Sequence, residues 1–147
     1  LEKAATGVLY MSESDFPFTF VSAPGQVGAP IDEALLREVF ADEVAGDDAA
    51  DKPMTSLVSM EQSWQAWKDA KHSCADPNDT SPEALEACSK MRNLESVIES
   101  DLTDVKVFYF GAKGTAGDVQ GTGVSIFIVG RSASGKLVGL RTIAIWT

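Results

Sequence analysis

Glu13 and Asp15 stand two positions apart among the hydroxyls of Ser12 and Ser14, in the run Val8-Leu9-Tyr10-Met11-Ser12-Glu13-Ser14-Asp15-Phe16-Pro17-Phe18-Thr19-Phe20. Apolar segments enclose this acidic knuckle on both sides. Paired acids such as these, or Asp47 and Asp48 further on, suit acid/base chemistry only when their surroundings shift their pKa values. The sequence gives no sign of such a shift, so solvated carboxylates are the plainer reading. Gly130-Arg131-Ser132-Ala133-Ser134-Gly135-Lys136 satisfies the G-x-x-x-x-G-K pattern of a phosphate-binding loop. A magnesium-binding Ser or Thr should follow the lysine, and a helix N-terminus should follow the loop. Leu137 comes instead, then a β-branched, aromatic run ending in Trp146, and the stretch reads as a hairpin turn.

His72 is the single histidine, beside Cys74 in Lys71-His72-Ser73-Cys74. Zinc would take His72, Cys74, Cys88 and an acid such as Asp76, but the paired C-x-x-C spacing of structural zinc sites is missing. As the base of a Ser or Cys nucleophile, His72 lies in a polar loop before a Pro/Asp-rich turn, which holds an imidazole in place poorly. Trp64 and Trp67 read as core. Trp146, next to the end of the sequence, has the character of an interface anchor. The residues therefore point to no enzyme and call for no cofactor.

The elements that must position these groups follow from periodicity. Glu2 to Met11 reads as the end of a helix, with Ala4, Ala5, Val8 and Leu9 at helical spacing. Phe16, Phe18 and Phe20 alternate with Pro17 and Thr19 as in a strand, and Pro17 puts that strand at a start or an edge. Pro30 opens a helix with Asp32 and Glu33 in its first turn and Ile31, Leu35, Val39 and Phe40 as its stripe. Residues 41 to 53, with five acids and one lysine, read as a solvated loop. Ser59 with Gln62 resembles a capping box for a helix placing Met60, Trp64 and Trp67 on one face. Ser81, before Pro82 and Glu83, begins a long helix carrying Leu85, Cys88, Met91, Leu94, Ile98 and Leu102. Then 105 to 111, 124 to 130 and 137 to 147 are apolar on nearly every residue, so both sheet faces need cover. Their short or Gly-rich connections predict an antiparallel meander. The fold class is α+β: one domain over 1–147, a three-layer α/β/α sandwich with a largely antiparallel sheet.

The 147 residues are 44 % apolar and carry a net charge of −10. Residues 1–104 hold 21 of the 22 acidic side chains and 7 of the 12 basic ones. Such a surface disfavours nucleic acid and anionic membranes as partners and suits a basic protein surface, such as the groove of a protein that binds nucleic acid. No apolar run approaches the ~20 residues of a membrane span. Cys74 and Cys88 are either bridged or free buried thiols. A bridge, together with the sequon Asn78-Asp79-Thr80, favours an exported protein over a cytoplasmic one.

The stretches 7–18 (GVLYMSESDFPF), 93–111 (NLESVIESDLTDVKVFYFG) and 126–142 (IFIVGRSASGKLVGLRT), with threonine as the last residue, resemble the nuclease A inhibitor (NuiA-type) family. That resemblance implies a small α/β/α sandwich that blocks a sugar-non-specific nuclease of the ββα-metal class in a 1:1 complex. It further implies that Glu13 and the C-terminal Thr147 approach the partner nuclease's catalytic Mg²⁺, an ion that favours hard oxygen ligands. Ser12, Ser14, Asp15 and Trp146 would support that contact. The segments 22 to 30, 41 to 53 and Cys74 to Cys88 depart from the family pattern. The alternative function is that of a secreted binding or effector protein that keeps the fold and reads another protein target through those segments.

Overall fold

The unbroken apolar runs of the last third of the chain are explained by a sheet buried on both sides. The computed structural model describes residues 1–23, 28–45, 57–113 and 119–146. In chain order its elements are α1 (Glu2–Ala5), β1 (Leu9–Met11), β2 (Asp15–Pro17), β3 (Thr19–Ala23), α2 (Glu33–Val39), α3 (Ala41–Ala45), β4 (Val58–Ser63), α4 (Trp64–Asp69), α5 (Pro82–Asp101), β5 (Thr103–Lys113), β6 (Val119–Arg131) and β7 (Leu137–Trp146). Five strands form an antiparallel sheet in the order β3-β7-β6-β5-β4, and β1 pairs with β2 in a separate hairpin. The expected β5-β6-β7 meander is present, and the fold is α+β.

Side chains alternate across a strand, so each central strand feeds two cores. Val107 and Tyr109, with Val124, Ile126 and Ile128, pack beneath Trp67 of α4 and Met91, Leu94 and Ile98 of α5. Phe108 and Phe110, with Phe127 and Val129, face Leu35 and Leu36 of α2, Phe40, and Val44 of α3. These two clusters are the interfaces of a three-layer sandwich. Phe127 is the hinge of the second cluster, stacked on Phe40 at 5.6 Å and edge-on to Phe110 at 5.8 Å.

Ser81 caps α5 as its sequence predicts, its Oγ accepting from the Ala84 N–H at 3.3 Å, with Pro82 following. The Gly130–Lys136 stretch is a hairpin turn. Ser132 N–H donates to the Lys136 carbonyl, Gly135 N–H donates to the Ser132 carbonyl (both 2.9 Å), and Gly135 takes φ 81°, which glycine adopts at no steric cost.

Five expectations are corrected. Residues 9–11 form a strand, with Val8 and Tyr10 buried and Leu9 and Met11 outside. Because all four are apolar, the two-residue period is invisible in composition. The Phe16–Phe20 run is two strands, broken after Pro17, and Phe18 between them is buried while Phe20 is exposed. Ser59 belongs to β4, opposite Phe110, and the cap of the following helix is Ser63, whose Oγ accepts from Ala66 N–H at 3.1 Å. Met60 is correspondingly exposed on an edge strand. The start of the acidic segment, 41–45, is helical because Val44 continues the apolar face of Phe40 into the core. Its remainder, 46–53, lies outside the described residues. For α2 the cap is Asp32, accepting from Leu35 N–H at 2.8 Å, so Pro30 and Ile31 precede the helix and Ile31 is buried before the cap.

Candidate functional site

The acidic knuckle is the turn of the β1-β2 hairpin. Leu9 pairs with Pro17, Tyr10 with Phe16 and Met11 with Asp15, leaving Ser12, Glu13 and Ser14 at the tip. Ser12 closes the tip on itself: its N–H and its Oγ both donate to the Ser14 carbonyl, at 3.2 and 2.9 Å. Beneath, Tyr10 is the anchor. Its ring stacks on Trp67 at 5.7 Å and meets Phe18 edge-on at 6.5 Å. Burial pushes the Tyr10 phenol up to about 12, so it stays neutral in the core.

The tip is also tied to the far end of the chain. Pairing of β3 with β7 stops at Thr19 and Arg141, which leaves the last residues of β7 with an open edge. The knuckle takes that edge. Glu13 N–H donates to the Ile145 carbonyl at 3.4 Å, and Ile145 N–H donates to Ser12 Oγ at 3.0 Å. Lower down, Thr142 Oγ1 lies 3.3 Å from the Phe16 carbonyl and 2.9 Å from that of Pro17. Side chains of Glu13, Ser14 and Asp15 are exposed, whereas Ser12 is half-buried. Two hydrogen bonds thus fix the backbone that presents the Glu13 carboxylate, and they set it beside the strand that runs into Trp146.

Trp146 is half-buried, its ring tilted against Tyr109 at 5.5 Å, and Tyr109 donates its hydroxyl to Gln62. Part of this indole therefore serves the core, and only the remainder is available to another molecule. Thr147 lies outside the described residues, as do Asp47 and Asp48.

The other candidate cluster has a structural job. Cys74 and Cys88 are bridged, which joins the loop after α4 to the second turn of α5 and withdraws both thiols from any zinc set. His72 does not lie loose in that loop. Its ring sits 3.9 Å from Trp67 and 5.3 Å from Tyr10, flanked by Lys71 and Ser73 in left-handed conformation (φ 50° and 63°). Burial pulls its pKa below the ordinary 6.5. Asp76 and Asp79 accept hydrogen bonds from Asn78 N–H (2.9 Å) and Ser81 N–H (3.1 Å), and so shape the loop. Trp67 is fully buried, and Trp64 lies against Lys68 while its Nε1 donates to Glu99 at 3.0 Å. Among the described residues no group of three or more His, Cys, Asp or Glu side chains is arranged to hold a metal.

Sequence reasoning found the knuckle and missed what holds it. Thr142 and Ile145 lie in an apolar run in which nothing singles them out, except that Thr142 is a lone hydroxyl in a strand buried on both faces. The arrangement as a whole is one exposed carboxylate on a hairpin tip whose backbone is tied to β7, suited to contact with another molecule's cationic centre.

No curated protein matches the chain. The family model described as NuiA, nuclease A inhibitor-like protein, matches residues 1–147, the whole of it. The family that the knuckle and the closing strands resemble is thus the family found: the chain belongs to the nuclease A inhibitor-like family.

Proposed function

We propose that this chain, acting as one domain over residues 1–147, inhibits a sugar-non-specific ββα-metal nuclease by forming a 1:1 complex that covers its active site. Glu13 supplies a hard carboxylate oxygen to the nuclease's Mg²⁺, in a position that substrate phosphate otherwise fills. Thr147, which follows Trp146, adds its hydroxyl. Ser12 fixes the tip, Ser14 and Asp15 border the contact, and the exposed part of Trp146 packs at its edge. No reaction is performed by the inhibitor, and it binds neither nucleic acid nor membrane.

The observation that carries this reading is the pair of hydrogen bonds joining residues 12 and 13 to Ile145. They set the hairpin tip that carries Glu13 beside the end of β7, the strand that precedes Thr147 in sequence, and this supports the reading. A backbone fixed before binding loses little freedom on docking, which favours affinity. The acidic surface complements a groove built to attract polyanions, raising the rate of association. The Cys74–Cys88 bridge supports an exported inhibitor.

Titrating purified ββα-metal nucleases with this protein, with DNA and RNA as substrates, tests the reading. Stoichiometric loss of activity on both substrates is expected. Full activity at several-fold molar excess against every nuclease tried would overturn it.

A further inference from the structure

Beside the knuckle, three large apolar side chains lie exposed. Leu9 (41 % exposed) and Met11 (49 %) project from the same side of β1, and Leu85 (56 %) projects from the first turn of α5. A trough of about 700 Å³ runs between the disulfide-bearing loop and the start of α5, with Met11 and Leu85 in its wall. A hollow of about 260 Å³ continues it past Leu9. Met11, Glu83 and Ala87 line both, so the two form one surface.

The rim of this surface is acidic. Asp76, Asp79, Glu83 and Glu86 border it, against Lys71 and Lys90, and Lys90 is paired with Glu86 at 3.1 Å. Hydrogen bonds from Ser81 hold the Asp79 carboxyl below its ordinary range. An apolar floor inside an anionic rim fits an apolar side chain flanked by Lys or Arg. A second copy of this chain would bring another acidic rim, and like charges facing each other oppose that pairing. A nuclease that attracts polyanions carries the complementary sign. The trough also opens where the knuckle begins, because Met11 directly precedes Ser12. The Cys74–Cys88 bridge holds its loop wall to α5.

We infer that this trough is a second contact surface for the partner nuclease, taking an apolar side chain between Met11 and Leu85 while neighbouring Lys or Arg side chains meet Asp76, Asp79 and Glu83. The inference rests on the inhibitor reading and adds to it a site for affinity separate from the site of blockade.

Calorimetric titration of purified ββα-metal nucleases in Mg²⁺ buffer tests it, using the wild type, Leu85→Lys and Leu85→Ala. Lysine is a good helix former and Leu85 is exposed, so α5 is retained. Leu85→Lys is expected to raise Kd by roughly tenfold or more, as for a central contact, while saturating variant still inhibits completely. Leu85→Ala is expected to raise it by about threefold, a smaller loss of apolar contact. If a nuclease is inhibited by the wild type and both variants keep its Kd within twofold, the trough is not a contact and the knuckle reading stands. If the wild type binds no nuclease, both readings fall. If sedimentation shows the wild type to be a dimer that Leu85→Lys dissolves, the occupant is a second copy and the inference is overturned.

Discussion

Ser12 Oγ accepts a hydrogen bond from the Ile145 backbone N–H at 3.0 Å, across 133 positions of sequence. The same oxygen donates to the Ser14 carbonyl at 2.9 Å, so one hydroxyl both closes the hairpin tip and fastens it to β7. The backbone at Glu13 is held by this residue together with its own N–H bond to the Ile145 carbonyl. Replacing Ser12 with Ala removes both bonds and leaves the Ile145 N–H without its partner, at a cost of about 1 kcal/mol in stability. Chemical denaturation should report that modest loss, while the inhibition constant should rise by more than the same energy accounts for. An unchanged inhibition constant would mean that Ser12 contributes stability alone.

The Cys74–Cys88 bridge closes a loop of 14 positions. In the chain-entropy model such a bridge contributes roughly 3 kcal/mol by restricting the unfolded chain. Reduction, or the double change Cys74→Ser and Cys88→Ser, should therefore lower the midpoint of denaturant unfolding. The sheet should persist, because neither cysteine belongs to either of its two cores. An unchanged midpoint after verified reduction would contradict this.

His72 should make stability depend on pH. Its folded-state pKa lies below the ordinary 6.5 because burial penalises the imidazolium. As pH falls, the unfolded chain takes up the proton first, so the contribution of the neutral ring is fully present above about 6.5 and is lost as pH falls through the folded value. Glu95 acts in the opposite sense, its carboxyl raised above 4.5 mainly by burial, with Arg92 and Lys68 partly opposing. Comparing melting temperatures of wild type and His72→Gln at each pH from 8 to 5 isolates the histidine. The difference should move in the variant's favour towards acid, and a constant difference would mean that His72 is not buried as described.

Gly139 of β7 lies so close to β6 that a Cβ there would stand 2.0 Å from the Ile128 carbonyl oxygen. Gly139→Ala must displace backbone in the centre of the sheet, costing roughly 3 kcal/mol or more. Soluble yield and unfolding midpoint should both fall sharply. A variant as stable as the wild type would show that β6 and β7 are not in the register Val129 to Gly139.

What could be read from the sequence followed where composition and period agreed. The long helix from Ser81, the three closing strands and the 131–136 turn carry caps, β-branched runs and turn residues that all point the same way, and they fold accordingly. Misreadings arose where two periods share one composition. Val8 to Met11 is apolar at all four positions, so a strand with Tyr10 inward is indistinguishable there from a helical turn. In β4, Ser59 and Gln62 mimic a capping box, while the true cap, Ser63, lies four residues on. His72 reads as a polar loop residue because its neighbours are polar. Only tertiary structure brings Trp67 and Tyr10 against its ring. The knuckle itself was legible from its residue types. Its attachment to Ile145 was not, because a backbone amide has no signature in sequence.

The central claim is that Glu13 reaches the metal of a partner nuclease, and the inhibition constant of Glu13→Ala beside that of the wild type tests it most directly. Against a ββα-metal nuclease that the wild type inhibits stoichiometrically, Glu13→Ala should inhibit at least roughly tenfold less well, the scale of a lost charge-assisted contact. Its unfolding midpoint is measured alongside, so that lost inhibition is separated from lost stability. Equal inhibition by Glu13→Ala and the wild type would contradict the account, whatever other surface of the molecule holds the nuclease.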